Sequence, residues 1–281
     1  MTVALIDSGL GLLPTSAWLR RLRPELDLLL SMDPEGAPWG PKPEPWVVDR
    51  VVAAADRAVG LGAEVVVLPC NTASVTALDD VRAHLGDAIP VIGTVPAIKP
   101  AAAVSSSVAI WATAATTRSA YQADLIARFG NGSDVVGVAC HGLADAIDLG
   151  DTERIAAAVD AAVANTPESC DAVVLGCTHY PLVADLIGER LPAGVALFDS
   201  ARAVAAQTLR RIDALGRTVG GGGTVSVLIS GRPGSLPASA SVYVDGRELA
   251  AGAPTASTPV DGWAGAAGPA DADRVGDSRL R

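Results

Sequence analysis

A chain of 281 residues is long enough for two compact domains, and its 49% hydrophobic content can supply a buried core for each. A net charge of −10 without clustered Lys or Arg excludes nucleic-acid binding as the expected function, because that partner needs concentrated positive charge. The cysteines, Cys70, Cys140, Cys170 and Cys177, lack Cys-x-x-Cys spacing and no secretory leader precedes them, so free thiols in a cytoplasmic protein are expected. The apolar stretch from Ala88 to Ala115 is interrupted by Pro96, Lys99, Pro100 and the Ser105-Ser106-Ser107 triplet, so no membrane span is expected.

In chain order, Thr2 to Ile6 is a buried strand ending at Asp7-Ser8-Gly9, and Leu10 to Arg23 a helix. Leu26 to Ser31 is a second strand, and the loop from Asp33 to Pro43 carries too much proline for helix or central strand. Val47 to Leu61 has helical spacing, Ala63 to Leu68 is the strand leading to Cys70, and Ser74 to Leu85 is the following helix. After a strand at Ile89 to Ile92, a second unit is expected to start near Val95-Pro96. Its strands are Ser107 to Trp111, Asp134 to Cys140, Ala172 to Leu175 and Val195 to Phe198. Its helices are Thr116 to Arg128, Leu143 to Leu149, Asp151 to Ala164 and Ala201 to Leu215. Gly220 to Gly223 reads as flexible punctuation before Thr224 to Ser230, an edge strand returning to the first unit, with Val242 to Val244 as one strand more.

This alternation gives an α/β class with mostly parallel central sheets, and a repeated cysteine motif, not the alternation, points to two pseudo-symmetric α/β domains with an active site in the cleft between them. The expected division is 1–95 plus 208–248 for the first domain and 96–207 for the second, with 249–281, rich in Gly, Ala, Pro, Ser and Asp, as a disordered tail.

The duplication is visible in one motif. Val65-Val66-Val67-Leu68-Pro69-Cys70-Asn71-Thr72-Ala73-Ser74 reappears in outline as Ala172-Val173-Val174-Leu175-Gly176-Cys177-Thr178-His179-Tyr180-Pro181. Each copy delivers a cysteine where a parallel strand ends and a helix is expected to begin, with Asn, Thr or Ser available as caps. That edge is where open α/β sheets bind ligands, and a helix N-terminus there favours thiolate. Cys140 and Cys170 read as core residues, the commoner fate of a cysteine.

A redox pair or half a metal site remains open for Cys70 and Cys177 on spacing alone. The histidines, His84, His141 and His179, show no metal-ligand spacing, so no metal is expected. Lys42 and Lys99, the chain's lysines, both precede proline in loops, which disfavours a pyridoxal imine, and no phosphate-binding glycine loop is present.

The set Asp7-Ser8-Gly9, Pro38-Trp39-Gly40, Cys70-Asn71-Thr72-Ala73-Ser74, Ala112-Thr113 with Thr116, and Gly176-Cys177-Thr178-His179-Tyr180-Pro181 resembles the bacterial glutamate racemases of the cofactor-independent aspartate/glutamate racemase superfamily. The resemblance covers about Thr2 to Leu215. It implies an isomerase that interconverts L- and D-glutamate without a cofactor, supplying D-glutamate for peptidoglycan, with an amino acid as partner and a homodimer as a common assembly. It further implies Cys70 and Cys177 as the two proton-transfer groups, with Asp7 assisting the first and His179 the second. Ser8, Asn71, Thr72, Thr113, Thr116 and Thr178, with Trp39-Gly40 for the distal carboxylate, would hold the substrate. Trp39, Leu12 and Asp148 stand where the family usually has Tyr, Gly and Glu, changes that bear on pocket volume and so on substrate length. An aspartate racemase or a racemase of another acidic or modified amino acid, and a silent amino-acid-binding protein of this fold, are the competing readings, with a thiol redox role third.

Overall fold

A computed structural model describes residues 1–216 and 220–251. The first half builds β1 (Thr2–Asp7), a 3-10 turn (Leu10–Leu12), α1 (Leu13–Leu22), β2 (Asp27–Met32), α2 (Glu44–Gly60), β3 (Ala63–Leu68), α3 (Asn71–Thr76), α4 (Leu78–Leu85) and β4 (Val91–Gly93). The second builds α5 (Ile98–Ala102), β5 (Ser107–Ala112), α6 (Ala114–Thr117), α7 (Ala120–Phe129), β6 (Asp134–Ala139), α8 (Leu143–Leu149), α9 (Thr152–Ala164) and β7 (Ala172–Leu175). A 3-10 turn (Tyr180–Val183), α10 (Ala184–Arg190), β8 (Ala196–Phe198) and α11 (Ala201–Ala214) complete it. The chain then returns with β9 (Val225–Ile229), β10 (Arg232–Gly234), a 3-10 turn (Ala238–Val242) and α12 (Val244–Ala251).

The strands form a six-stranded sheet, β10-β9-β2-β1-β3-β4, and a four-stranded sheet, β6-β5-β7-β8. Every pairing is parallel except β9 with β10. Parallel strands covered on both faces are continuous apolar runs, as Val3 to Ile6, Val65 to Leu68 and Ala172 to Leu175 are. Within the first sheet, β2-β1-β3-β4 runs second, first, third, fourth; β6-β5-β7-β8 repeats that order. Cys70 follows the third strand of one set and Cys177 the third strand of the other. The duplication read from the cysteine motif is thus a duplication of topology. Both cysteine-bearing edges are carboxyl ends of parallel strands, where helix N-termini and loops converge. One apolar cluster runs from Val3, Leu5 and Leu30 through Leu10, Leu12 and Leu13 to Trp111, Leu143, Ile147, Leu175 and Tyr180, so the two sheets share a core.

Several expected elements differ. The single helices expected over Ser74–Leu85 and Thr116–Arg128 are each two: α3 ends at Thr76, capped by Ala77, and α6 ends before Ser119, whose hydroxyl accepts from the Gln122 N–H to start α7 afresh. β9 is no edge strand, because β10 pairs along its outer side. Gly222 and Thr224 donate backbone N–H groups to Asp27, so the described end of the glycine run is fixed to β2; residues 217–219 lie outside the described residues. Val242 to Val244 is not a strand. The Tyr243 hydroxyl donates to the Ile147 carbonyl at 2.6 Å, and Asp245 and Glu248 accept from Arg21 of α1, which fixes a 3-10 turn and α12 there instead. The tail expected from residue 249 therefore starts too early, since Leu249 is buried within α12; residues 252–281 lie outside the described residues.

Candidate active site

Asp7, at the end of β1, is fully buried and is the hub of the site. Its Oδ1 accepts from the Ser8 N–H at 2.6 Å and the Ser8 hydroxyl at 3.3 Å, and its Oδ2 accepts from the Thr178 hydroxyl at 3.3 Å. Thr178 belongs to the second cysteine motif, so this bond joins the ends of β1 and β7. Burial pushes the Asp7 carboxyl up to about 6, while nearby His179 and the Cys70 hydrogen bond pull it down.

Cys70 lies between β3 and α3. The expected capping by Asn71 or Thr72 does not occur: Cys70 is itself the N-cap, in extended backbone, without a side-chain cap bond. The helix end was expected to favour thiolate at this position. Burial and the Asp7 charge instead push the Cys70 thiol well up, against the single favourable contact from the Ala73 N–H; charge on Cys177 adds to the upward push. Cys70 is therefore held as a thiol, and a thiolate on one cysteine disfavours a second on the other.

Cys177 is half-exposed and sits in a different setting. No α-helix follows it directly; a turn leads through His179 to the 3-10 turn containing Pro181. Its Sγ lies 3.7 Å from His179 Nδ1, and His179 Nε2 lies 3.1 Å from Asp148 Oδ1. Burial opposes charge on His179, but the Asp148 carboxylate and the Cys177 sulfur outweigh it and hold the imidazolium well above the ordinary histidine range. Asp148 shows the reciprocal balance: burial pushes it up, and His179 together with the Leu10 N–H, 2.7 Å away, takes it below the usual carboxylate range. An acid in the last turn of α8 opposes the helix dipole, and these two donors offset that cost. The Leu10 N–H opens a 3-10 turn and would otherwise lack a partner.

The backbone between Asp7 and Leu12 approaches this cluster so closely that side chains are excluded. A Cβ on Gly11 would stand 2.4 Å from Asp7 Oδ2, 2.5 Å from Thr178 Oγ1 and 2.7 Å from His179 Nδ1, and one on Gly9 would stand 2.4 Å from Asp148 Oδ1. Sequence reasoning does not single out Gly11, whose one local signal is the alternation Gly9-Leu10-Gly11 after a strand. Asp148 stood out only as a departure from a family pattern.

The remaining residues divide between two cavities. Gly40, Asn71, Thr72 and Thr116 line one of about 120 Å³, together with Val75, Thr76, Ala115, Ser119 and Tyr121. The Asn71 amide donates to the Gly176 carbonyl at 2.8 Å, a bond that joins the two cysteine motifs, and its own carbonyl oxygen is a buried acceptor without a partner. Thr113 caps α6 and bonds Thr116 rather than lining that cavity. Trp39 is buried, its indole N–H is taken by Asp33 at 3.0 Å, and it borders a separate cavity of about 310 Å³ that also reaches Asp7. Neither of these two cavities is lined by Cys70 or Cys177. Asp7, which lines the larger, is hydrogen-bonded to Cys70, and Asn71, which lines the smaller, is bonded to Gly176 beside Cys177.

Cys140 and Cys170 are buried in the shared core; burial, with a smaller push from Cys177 nearby, raises Cys140 to about 12, as suits a core thiol. No group of three or more His, Cys, Asp or Glu that could hold a metal ion exists among the described residues, nor does a helix long and apolar enough to cross a membrane.

The chain and its fold are matched in known proteins. Residues 20–208 match the Asp/Glu/hydantoin racemase family. Glutamate racemase from Pseudomonas putida strain W619 is 38% identical over 220 residues, which span 75% of this chain and 82% of that protein. The crystal structure of Escherichia coli glutamate racemase in complex with L-glutamate and the activator UDP-MurNAc-Ala superposes with a TM-score of 0.76 at 31% identity, covering 86% of this chain and 91% of that one. Glutamate racemase from Thermus thermophilus, in complex with β-chloro-D-alanine, gives a TM-score of 0.66 at 31% identity, covering 81% of this chain and 87% of that one. The chain belongs to the Asp/Glu/hydantoin racemase family, and it is an isomerase, an amino-acid racemase.

Proposed function

We propose that this racemase interconverts L- and D-glutamate by a two-cysteine proton transfer without a cofactor, and that it supplies D-glutamate for peptidoglycan. The observation that carries the mechanism is the placement of Cys70 and Cys177 after equivalent strands of two sheets of the same order, joined by the Thr178 to Asp7 bond. The substrate assignment is supported by relatives and structural neighbours that are glutamate racemases. In this reading the sheets are the cores of two domains, 1–95 plus 208–248 and 96–207, and the cysteines face each other across the cleft.

Racemisation requires one base on one face of the α-carbon and one acid on the other. With L-glutamate, the Cys177 thiolate removes the α-proton and the Cys70 thiol delivers its own proton to the opposite face. With D-glutamate the roles reverse, so Cys70 must first be deprotonated, and Asp7, titrating near 6, is the acceptor within hydrogen-bond reach. His179, held as imidazolium by Asp148, balances the negative charge of the Cys177 thiolate. The Asn71 carbonyl and the Asp7 carboxylate are acceptors for the substrate ammonium, and the Thr72, Thr116 and Thr178 hydroxyls are donors for its carboxylates. Each turnover leaves the same number of protons on the protein, which now rest on the opposite thiol.

The test is α-proton exchange in deuterium oxide, with L-glutamate and L-aspartate offered separately, read by NMR with the optical rotation of the product. Exchange with inversion of glutamate supports the assignment. Turnover of aspartate alone keeps the chemistry and overturns the substrate, and binding of either without exchange overturns the catalytic reading.

A further inference from the structure

Asp33 follows β2 and carries the densest set of charge-assisted bonds outside the cysteine cluster. Its Oδ2 accepts from Trp39 Nε1 at 3.0 Å and Arg50 Nε at 2.6 Å, and its Oδ1 accepts from Ser230 Oγ at 3.0 Å and from the Arg50 Nη2. Arg50 in turn stacks over Trp46, 5.1 Å from the ring centre. The same residue is tied through its backbone to the catalytic strand, because the Asp33 N–H donates to the Asp7 carbonyl at 3.2 Å. The Gly36 and Ala37 N–H groups close onto the Asp33 carbonyl at 3.1 and 3.0 Å, and a Cβ on Gly36 would stand 2.1 Å from Asp33 Oδ2.

Ser230 is brought to Asp33 by the tight turn between β9 and β10, where Ser230 and Gly231 both have positive φ, 45° and 79°. That conformation is costly for a serine, and the Oγ bonds to Asp33 and to the Glu35 N–H at 3.2 Å accompany it. Burial pushes the Asp33 carboxyl up, but Arg50, Trp39 and Ser230 outweigh it and hold the carboxylate ionised.

The clamp holds a partition. Trp39, buried beside Ile6 and Cys70 in one apolar cluster, borders the cavity of about 310 Å³, whereas the next residue, Gly40, borders the cavity of about 120 Å³ that holds Asn71, Thr72 and Thr116. Trp39-Gly40 is the wall between them. A Cβ on Gly40 would have only Thr72 Oγ1 nearby, at 3.8 Å, so the smaller cavity is open on this side up to the wall itself.

We propose that Asp33 is a positioning residue that sets substrate length: by tethering Trp39 to Arg50 and Ser230, it fixes how deep the substrate cavity is and excludes acidic amino acids longer than glutamate. This inference rests on the acidic-amino-acid racemase reading above. Releasing the tether lets Trp39-Gly40 yield toward the larger cavity, which makes room for one more methylene; a methylene in a pocket is worth roughly 10- to 200-fold in selectivity.

The test compares wild type, Asp33→Asn, Trp39→Phe and Ser230→Ala on D-aspartate, D-glutamate and D-2-aminoadipate, with amide hydrogen exchange across residues 33–43. Asp33→Asn should raise KM for glutamate about tenfold with kcat nearly unchanged. It should also raise the 2-aminoadipate to glutamate ratio of kcat/KM about tenfold and speed exchange across the loop. Trp39→Phe, which leaves the Arg50 and Ser230 bonds intact, should shift the ratio the same way by less, and keeps the test open if Asp33→Asn does not fold. Ser230→Ala should give the smallest shift in the same direction. An unchanged ratio with unchanged loop exchange overturns the proposal, as does an equal fall of kcat on all three substrates at constant KM. If wild type turns over none of the three, the glutamate reading fails. The tether then stands on loop exchange alone: faster exchange in Asp33→Asn keeps it as a loop anchor, and unchanged exchange removes it.

Discussion

Cys70 and Cys177 occupy the same place in two sheets of one strand order, yet they stand in different surroundings. Cys70 is sealed beside a carboxyl, Asp7, that raises its own proton affinity as well as being raised by burial. Cys177 is half-exposed beside an imidazolium held by Asp148. Duplication of the fold places a cysteine after the third strand of each set, and the partners differ: Asp7 at the end of β1 for Cys70, and His179 held by Asp148 of α8 for Cys177. Topology fixes where the groups stand, while burial and neighbouring charge set the proton affinity of Asp7, Cys70 and His179.

The comparison breaks most completely if either sulfur is removed. Cys70→Ser and Cys177→Ser should each lower racemisation by about 10³-fold or more, measured by circular dichroism of product formation. Gly11→Ala should approach the same loss for a steric reason, since its Cβ would strike Asp7, Thr178 and His179 together, whereas Gly40→Ala meets nothing closer than 3.8 Å and should retain folded structure by near-ultraviolet circular dichroism.

A smaller effect isolates the Cys177 side. Asp148→Asn removes the charge that sustains the His179 imidazolium, so the histidine pKa, followed by NMR, should fall and turnover should drop by roughly 10- to 100-fold. Because L- and D-enantiomers are equally stable in free solution, kcat/KM must fall equally in both directions. Any asymmetry has to appear in kcat and KM separately.

The Cys70 side is sharpened by stability. Asp7 is raised from 3.8 to about 6 in the folded protein, so between those values the native state binds the proton that the unfolded chain has lost, and stability falls as pH rises through that window. Asp7→Asn should therefore gain up to about 3 kcal/mol at pH 7.5 relative to wild type in denaturant titrations, with the gain vanishing below about pH 4, while activity is lost. The smallest effect is expected outside the pair: Cys170→Ala should leave turnover within about twofold and cost on the order of 1 kcal/mol of stability.

Much of this site was legible in the sequence because each part follows a local rule. An apolar run ending in Cys-Asn-Thr or Cys-Thr-His announces a buried parallel strand with a functional edge, and its repetition announces the duplicated fold. What escaped depends on distances between remote segments. Gly11 is required by atoms of Asp7, Thr178 and His179, two of which lie far along the chain. Asp33 gains its role from Arg50 and Ser230, which no local pattern connects. The upward shift of Cys70 was missed because helix-end electrostatics is local, whereas burial and the Asp7 charge arise only once the sheets pack. The α12 region failed for a related reason: its Val-Tyr-Val run has strand propensity, and the Tyr243 bond to Ile147 and the Arg21 ion pairs override it.

The most direct measurement of the central claim is enantiomer-specific α-proton exchange in deuterium oxide with the single cysteine variants. Cys70→Ser should still exchange the α-proton of L-glutamate, through Cys177, and fail with D-glutamate; Cys177→Ser should show the reverse. Loss of the same enantiomer in both variants, or exchange of both enantiomers by either, would contradict the assignment of one cysteine to each face.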